Sequence, residues 1–313
     1  MEIPHPFPYQ GSKRGIAKVI MAYYPIKFER LIEPFAGAAA ITLATAYYGR
    51  TNAFLLNDVN QALIDLWTEI IDNPEGLSDA YEKLWVDQKG RERVYYDYIR
   101  EQFNSTHLPH FFLYLLARCV KAAIRYNSKG EFNQGPDNRR KGVNLHTMKK
   151  NIINASKLLK GRTCLKCSDY RDILAIATKE DVVYMDPPYQ GVCNNKDPRY
   201  LCNVTFDTFV EELDQLNSKG MSYILSYDGR NGLKTYGRPL PESLELTRIE
   251  INAGRSTQAT LLGRQAYTIE SLYLSPSLIA RTEGTKISKL ISSTVTLDYY
   301  RDVNDSHGKA GVA

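Results

Sequence analysis

The run VVYMDPPY at Val182–Tyr189 determines how the rest of this chain is interpreted. Its first half is a short apolar run of the kind that forms a buried strand. Its second half, Asp-Pro-Pro-Tyr, makes a stiff turn, because proline fixes φ and has no amide proton. A carboxylate and an aromatic ring on such a turn can accept a hydrogen bond from an exocyclic amine and stack on a flat base. An ordinary proline turn after a strand is the alternative.

The composition is ordinary for a globular protein and slightly basic. The chain has 313 residues, of which 43% are hydrophobic and 24% charged, and its formal net charge is +5. We expect no transmembrane helix, because no apolar run approaches about 18 residues. Met1–Pro6 lacks the basic start and apolar core of a secretory signal, so we expect an intracellular protein. Five cysteines, an odd number, argue against a disulfide framework, and we predict no metal site.

Predicted strands and helices alternate on both sides of a long helical stretch. We predict strands at the apolar runs 30–33, 53–56, 163–167, 182–185, 222–226, 244–251 and 267–274. We predict helices at 12–24, 38–48, 61–71, 77–123, 145–160, 170–177 and 206–218. Ser12 is the expected N-cap of the first helix, and the basic segment 126–144 is predicted to be a hairpin or loop. The pattern indicates an α/β protein with a doubly wound, Rossmann-like sheet and a mainly helical insertion.

The segment Glu33–Ala40, EPFAGAAA, ends one predicted strand and opens the next helix. Small residues let a ligand approach the backbone, and the start of a helix offers free amide groups. Asp58 follows about twenty residues later at the end of the second strand, where an acidic side chain can bind both hydroxyls of a ribose. A tightly packed strand–helix turn is the alternative. The chain has no P-loop run, so we expect no P-loop nucleotide site.

Two further segments are candidates for the same pocket. Tyr9–Lys13, YQGSK, carries an aromatic ring, a glycine and a lysine before a helix. Lys13 can bind an anionic group, and a solvated lysine at the start of a helix is the alternative. Asp169 ends the strand that precedes Val182–Met185 and can accept a hydrogen bond from an adenine amine. Capping the helix that begins at Tyr170 is an equally suitable role for Asp169.

A basic segment rich in Asn and Gly follows the helical stretch. Its positive residues are Lys129, Arg139, Arg140, Lys141, Lys149 and Lys150. Such a cluster permits binding to nucleic-acid phosphates, although a solvated basic surface has the same composition.

In their order along the chain, these motifs resemble the Dam-type family of DNA adenine-N6 methyltransferases, over roughly residues 7 to 275. The ordered set is Tyr-Gln-Gly-Ser-Lys (9–13), Pro-Phe-Ala-Gly (34–37), Asn-Asp (57–58), Tyr-Asn-x-x-Gly-x-Phe-Asn (126–133), Ser-Asp-Tyr (168–170) and Asp-Pro-Pro-Tyr (186–189). The resemblance implies S-adenosylmethionine as cofactor and adenine in double-stranded DNA as methyl acceptor. It also implies direct transfer to a flipped base, a cytoplasmic protein at the nucleoid, and a cognate restriction endonuclease as one candidate partner.

The resemblance also implies a domain organisation and a set of functional residues. Residues 1–60 and 161–280 correspond to the cofactor-binding catalytic domain, 61–160 to a helical insertion that selects the DNA sequence, and 281–313 to a tail without an assigned role. Cofactor contacts are expected at Tyr9, Lys13, Phe35, Ala36, Gly37, Asp58 and Asp169. The catalytic motif consists of Asp186, Pro187, Pro188 and Tyr189. DNA contacts are expected at Asn127, Lys129, Arg139, Arg140 and Arg255.

The chain departs from the family pattern at several places. Arg255-Ser256-Thr257 resembles the family's late Arg-Ser loop, but the following residues diverge, and the tail beyond about 280 has no counterpart. Ala38 and Ala39 stand where glycines are often seen, and Ser226-Tyr227 stands where many relatives have Ser-Asn. None of the five cysteines follows a proline, which disfavours methylation of a cytosine carbon. Cytosine-N4 methylation, RNA adenine methylation and a catalytically silent DNA-binding protein remain as alternatives. The oligomeric state is not predicted.

Overall fold

A single mixed sheet organises the protein. The computed structural model describes residues 2–188, 205–231, 234–255 and 267–282. Within these ranges the strand order is β3-β2-β1-β4-β5-β8-β7, and β6 pairs with β5 outside this path. The strands are β1 Leu31–Glu33, β2 Phe54–Asn57, β3 Thr163–Lys166, β4 Val182–Met185, β5 Tyr223–Asn231, β6 Lys234–Tyr236, β7 Thr247–Arg255 and β8 Tyr267–Leu274. β1 to β5 pair in parallel, whereas β6, β7 and β8 pair antiparallel. The predicted Rossmann-like α/β fold class is confirmed.

The central strands are short and apolar because helices cover both faces of the sheet. Every residue of β1, β2 and β4 is buried, and parallel strands in such sheets lose the alternation of polar and apolar residues. The edge strand β3 instead alternates between half-buried and exposed residues. Strand order reverses between β1 and β4, and ligands bind at such a switch point, beyond the carboxyl ends of the strands.

The helices lie on both sides of the sheet. Those of the described ranges are α1 Ala17–Met21, α2 Ala40–Tyr47, α3 Gln61–Asp72, α4 Pro74–Asp87, α5 Glu92–Thr106, α6 Pro109–Arg118, α7 Leu145–Leu159, α8 Tyr170–Ala175, α9 Phe206–Ser218 and α10 Pro276–Thr282. Of the helices in those ranges, none has the length and apolar character needed to cross a membrane.

The helices between β2 and β3 share one apolar core with the sheet. Side chains of α3, α6 and α7, such as Trp67, Phe112 and Ile152, belong to the same buried cluster as Leu31 of β1 and Phe54 of β2. The helical segment therefore packs directly on the sheet that carries the strand ends. Its assignment as a sequence-selecting insertion stays a prediction.

The opposite face of the sheet packs on α8 and α9. Ile32 and Val183 point to this face and cluster with Ile173 of α8 and Phe209 of α9. Leu31 and Ile32 are neighbours in the chain, so their side chains point to opposite faces of the sheet. Leu31 therefore packs in the core on one side of the sheet and Ile32 in the core on the other.

The predicted helix over residues 12–24 is wrong in its first half. The structure has a 3-10 turn at Lys13–Gly15, and α1 begins only at Ala17. Ser12 makes no side-chain capping bond, and Ile16 has φ −115° and ψ 4°, outside the helical region. Lys13 and Ile16 are both buried, so tertiary packing overrides the local helical preference here.

The C-terminal part of the described chain also differs from the prediction. β7 begins at Thr247, because Glu242–Leu244 forms a 3-10 turn that ends at Glu245 with φ 52°. The helix α10 follows β8 directly, where the sequence pattern predicts no element. The remaining tail, 283–313, lies outside the described residues.

Candidate active site

A cavity of about 360 Å³ opens at the carboxyl ends of β1, β2 and β4. Its size is within the range of pockets that bind small molecules. Five segments of the chain line it, lying within 9–13, 33–41, 57–60, 168–170 and 184–188, and Ala122 and Ile124 complete the wall. All the residues predicted from the sequence to contact a cofactor lie in this wall, as do Asp186, Pro187 and Pro188. Tyr189, the fourth residue of the proposed catalytic motif, lies outside the described residues.

The loop after β1 approaches the cavity with its backbone. Gly37 has φ +49°, in the left-handed region that glycine adopts without strain. A Cβ atom at Gly37 would lie 3.0 Å from Cε1 of Tyr9, so the ring of Tyr9 lies against this glycine. Ala39 also has a positive φ, 45°, although it carries a side chain. The loop is therefore held in a shape that local preference alone does not favour.

Trp67 holds this loop from behind, and the sequence motifs missed it. The indole Nε1 of Trp67 donates a 2.9 Å hydrogen bond to the carbonyl oxygen of Gly37. The ring is fully buried in α3 and packs 5.4 Å from the ring of Phe7. A buried tryptophan needs a partner for its N–H group. The position of Trp67 on the apolar side of α3 was the only available signal, and it could not identify the carbonyl.

Asp58 joins the loop after β2 to the loop after β1. One carboxylate oxygen, Oδ2, accepts a 3.1 Å hydrogen bond from the amide of Gly37. The other, Oδ1, accepts a 3.0 Å hydrogen bond from the amide of Asn60. Burial raises the pKa of Asp58, and the two amide hydrogen bonds oppose that rise. Each oxygen retains a second lone pair for a ligand hydroxyl. The predicted contact with ribose stays a prediction.

Asn57 is a second residue to which the sequence motifs assign no role. Its Nδ2 group donates to the carbonyl oxygens of Pro34 and Ser168, at 2.9 and 3.0 Å. Its Oδ1 atom accepts from the amide of Ser168 at 2.9 Å. The side chain is buried and connects the loops that follow β1 and β3. It therefore sets the width of the cavity between those loops.

Asp169 caps α8, as one of the two interpretations of the sequence predicts. Its Oδ1 atom accepts 2.9 Å from the amide of Arg171, and the Arg171 guanidinium pairs with both carboxylate oxygens at 2.9 and 3.1 Å. This side-chain pairing lowers the pKa of Asp169. Asp169 also lines the cavity beside Tyr170, whose ring lies 5.1 Å from that of Phe35. The predicted contact with a cofactor adenine is compatible with this position.

Lys13 lies between two carboxylates. Its Nζ atom is 3.3 Å from Oδ1 of Asp186 and 3.1 Å from Oε2 of Glu270. The lysine is 8% exposed. Burial alone would lower its pKa, but the negative charges of Asp186 and Glu270 raise the pKa above the ordinary value. The anionic groups that Lys13 contacts are thus carboxylates of the protein itself, and Glu270 was not among the predicted site residues.

Glu33 is a buried acid in the floor of the cavity. Burial raises the pKa of Glu33 to about 8, and the nearby charge of Asp186 adds to the rise, while hydrogen bonds from Thr42 oppose it. Its Oε1 atom accepts 2.6 Å from the amide of Thr42, in the first turn of α2. Glu33 therefore occupies one of the free amides at the start of this helix. Burial therefore favours its uncharged form.

The predicted DNA-contact arginines lie on an exposed loop that Asp137 organises. Arg139 and Arg140 are 75% and 64% exposed, and both guanidinium groups reach the buried carboxylate of Asp137, at 3.1 and 3.5 Å. Behind them, the guanidinium of Arg118 donates 2.6 Å to the carbonyl of Arg140. The loop is thus anchored from below while its positive side chains face outward.

The predicted contacts Asn127 and Lys129 lie in a tight turn. Oδ1 of Asn127 accepts from the amides of Lys129 and Glu131, at 2.9 and 3.0 Å, and Nδ2 donates to the Glu131 carboxylate. The amide side chain of Asn127 therefore shapes the turn, and Lys129 is exposed at its tip. Next to this turn, the buried hydroxyl of Tyr126 donates 3.1 Å to Oδ1 of Asn60. For Arg255 the structure describes only the backbone, which pairs with Tyr267 at the end of β7.

Comparison with known proteins adds independent information. The family model "D12 class N6 adenine-specific DNA methyltransferase" matches residues 9–253, most of the chain. The retron Ec67 DNA adenine methylase of Escherichia coli is 33% identical over 189 residues, which cover 58% of this chain and 62% of that protein. The DNA adenine methylase of Serratia marcescens is 32% identical over 190 residues, which cover 58% of this chain and 65% of that protein. This chain thus matches less than two thirds of the length of either relative.

Among solved structures, a precorrin 8w decarboxylase of Methanobacterium thermoautotrophicum covers 88% of this chain and 100% of its own, at 12% identity and a TM-score of 0.37. A likeness this low supports no argument about fold or function.

Proposed function

The chain belongs to the D12 class of N6-adenine-specific DNA methyltransferases, and from this premise we propose that it methylates the N6 amine of adenine in double-stranded DNA. The observation that carries the proposal is the position of Asp186, Pro187 and Pro188 in the same cavity wall as the Gly37 loop and Asp58. A group that can bind an exocyclic amine and a loop that can bind a nucleoside cofactor therefore face one cavity.

S-adenosylmethionine is the cofactor in this proposal, and the residues present fit it. Gly37 lines the cavity without a side chain, so a ligand can approach its backbone. Asp58 offers lone pairs for ribose hydroxyls. Phe35 and Asp169 line the same wall and suit an adenine ring and its amine. When bound, the cofactor would supply an electrophilic methyl group on a sulfonium. Sulfur would keep the S–C bonding electrons, and the methylated amine would lose its surplus proton to the Asp186 carboxylate.

Asp186 prepares the amine for this reaction. In the proposal its carboxylate accepts one N–H of the adenine amine, and the carbonyl of Pro187 accepts the other. Both bonds draw the nitrogen toward tetrahedral geometry, and the carboxylate stabilises the positive charge that develops there. The rigid proline turn holds these acceptors in place, so positioning supplies much of the rate. Tyr189 is the proposed stacking partner of the base.

Access to the N6 atom requires the adenine to leave the duplex, which costs a few kcal/mol. Stacking on an aromatic ring returns about 1–3 kcal/mol per base. We assign contact with the DNA backbone to the loop that carries Arg139 and Arg140, with Asn127, Lys129 and Arg255 as further contacts. Within the proposal, residues 61–160 select the DNA sequence, and a cognate restriction endonuclease is a candidate partner.

The test is methyl transfer from labelled S-adenosylmethionine to unmethylated DNA, followed by identification of the modified base. We expect N6-methyladenine at one short sequence. Asp186→Ala should reduce transfer by about 100-fold or more while the affinity for S-adenosylhomocysteine changes little. Asp214→Ala, which removes an exposed carboxylate on α9, is the matched control and should retain wild-type activity. Label in cytosine, in RNA or in neither nucleic acid would contradict the proposal.

A further inference from the structure

Three charged side chains meet beside the cavity: Lys13, Asp186 and Glu270. Glu270 is the one that no sequence motif identifies. It lies on β8, an antiparallel strand added to the parallel part of the sheet, and it is 257 positions away from Lys13 in the chain. Its Oε2 atom nevertheless lies 3.1 Å from the Lys13 ammonium, on which Asp186 also converges. The carboxylate is only 16% exposed. A carboxylate held this way beside the proposed catalytic residue requires a physical reason.

The backbone of the sheet is shaped to bring Glu270 to this point. Pairing between β5 and β8 is regular up to Ser226, shifts by a bulge, and resumes at Gly229, which is opposite Glu270. A Cβ atom at Gly229 would lie 2.5 Å from the carbonyl oxygen of Ile269, so only glycine permits this approach of the two strands. Bulges redirect side chains next to active sites. Here the extra residue lies on β5, and the pairing that resumes after it places Glu270 of β8 opposite Gly229.

The charges explain what Glu270 contributes. If Lys13 paired with Asp186 alone, its positive charge would cancel the carboxylate that is proposed to bind the amine. A second carboxylate shares the ammonium and leaves one net negative charge on the group. Burial favours the uncharged form of Glu33, whose carboxyl group accepts a hydrogen bond from the Thr42 amide. A net negative site suits a cationic sulfonium and an amine that becomes positive during the reaction.

We infer that Glu270 is a positioning residue for methyl transfer, which holds the Lys13 ammonium between two carboxylates so that Asp186 keeps its negative charge for the amine. The inference rests on the proposed function and extends it to a residue outside the family motifs. Glu270 acts through Lys13 and Asp186 and need not touch the adenine. Its effect is therefore expected on the rate of transfer rather than on binding of DNA or of S-adenosylhomocysteine, whose sulfur carries no charge.

The experiment compares four variants of the full chain with the wild type at saturating cofactor. Glu270→Gln should lower kcat by at least about tenfold, because Lys13 then neutralises Asp186, while KM for DNA and the affinity for S-adenosylhomocysteine stay within about twofold. Glu270→Asp keeps the charge and should retain more activity than Glu270→Gln. Lys13→Met combined with Glu270→Gln restores the net charge and should exceed Glu270→Gln alone. Glu250→Gln, on the neighbouring strand β7, is the control with wild-type kcat.

Two results would overturn the inference. One is a wild-type kcat in Glu270→Gln. The other is equal impairment of Glu270→Gln, Glu270→Asp and the double variant, which indicates a merely structural role. Thermal unfolding of each variant separates loss of the fold from loss of rate. Failure of the proposed function is a separate result: the wild-type protein itself would transfer no methyl group to adenine. Failure of the inference alone would leave wild-type transfer intact.

Discussion

Replacement of Gly37 by alanine tests whether the loop after β1 binds the cofactor through its backbone. Gly37 has φ +49°, and an alanine held in this left-handed region costs about 1–2 kcal/mol of folding free energy. The new methyl group would also lie 3.0 Å from Cε1 of Tyr9. That distance is shorter than an ordinary carbon–carbon contact, so the ring must move. Because Tyr9 lines the cavity, its movement changes the shape of the site.

A matched control separates these two effects. Gly161 follows α7 with φ +72°, and a Cβ atom there would have no heavy atom within 4 Å. Gly161→Ala therefore carries the same backbone strain without a contact at the cavity. We expect both variants to lose about 1–2 kcal/mol of unfolding free energy in urea titrations. Only Gly37→Ala should also bind S-adenosylhomocysteine more weakly, by about tenfold, which corresponds to about 1.4 kcal/mol.

Isothermal titration calorimetry measures this affinity directly. An unchanged dissociation constant in Gly37→Ala, together with the expected loss of stability, would refute the assignment of this loop to the cofactor. Equal weakening of binding in both variants would mean that lower stability reduces the affinity by itself. The contact between residue 37 and Tyr9 would then not explain the effect.

Three further predictions follow from the site and its surroundings. Tyr126→Phe removes the hydroxyl that bonds to Asn60 and should lower the free energy of unfolding by about 0.5–1.5 kcal/mol in urea titrations. Unchanged stability would contradict a stabilising role of this bond between the turn and the cavity wall. Glu33 has a pKa raised from 4.5 to about 8, so the folded state binds its proton more tightly, and stability should fall as the pH rises across that window. In urea titrations at several pH values, the free energy of unfolding of Glu33→Gln should fall less steeply with pH than that of the wild type. Equal slopes in the two proteins would argue against the raised pKa of Glu33. Joint replacement of Arg139 and Arg140 by alanine should reduce the slope of log K for DNA binding against log salt by about 2; an unchanged slope would remove both from the phosphate contacts.

Most of the sheet and the helices could be predicted because their signals are local. The apolar runs at β1, β2 and β4 and the helical spacing of α3, α7 and α9 each depend on neighbours in the chain, and the structure contains them close to the predicted bounds. The segment of residues 12–24 could not be predicted in the same way. Its first turn follows the burial of Lys13, whose partners are distant in the chain: Asp186 directly after β4 and Glu270 on β8.

The sequence by itself determined which residues are available for the site and in which order they occur. The ends of strands carry Gly37, Asp58, Asp169 and Asp186, and parallel strands bring their carboxyl ends to one edge of a sheet, so a shared cavity was predictable. Their partners were not. Trp67 beneath the Gly37 loop, Asn57 between two loops and Glu270 beside Lys13 depend on strand order, a bulge and helix packing. Contacts between residues far apart in the chain leave no periodic signal, and only the tertiary structure decides them.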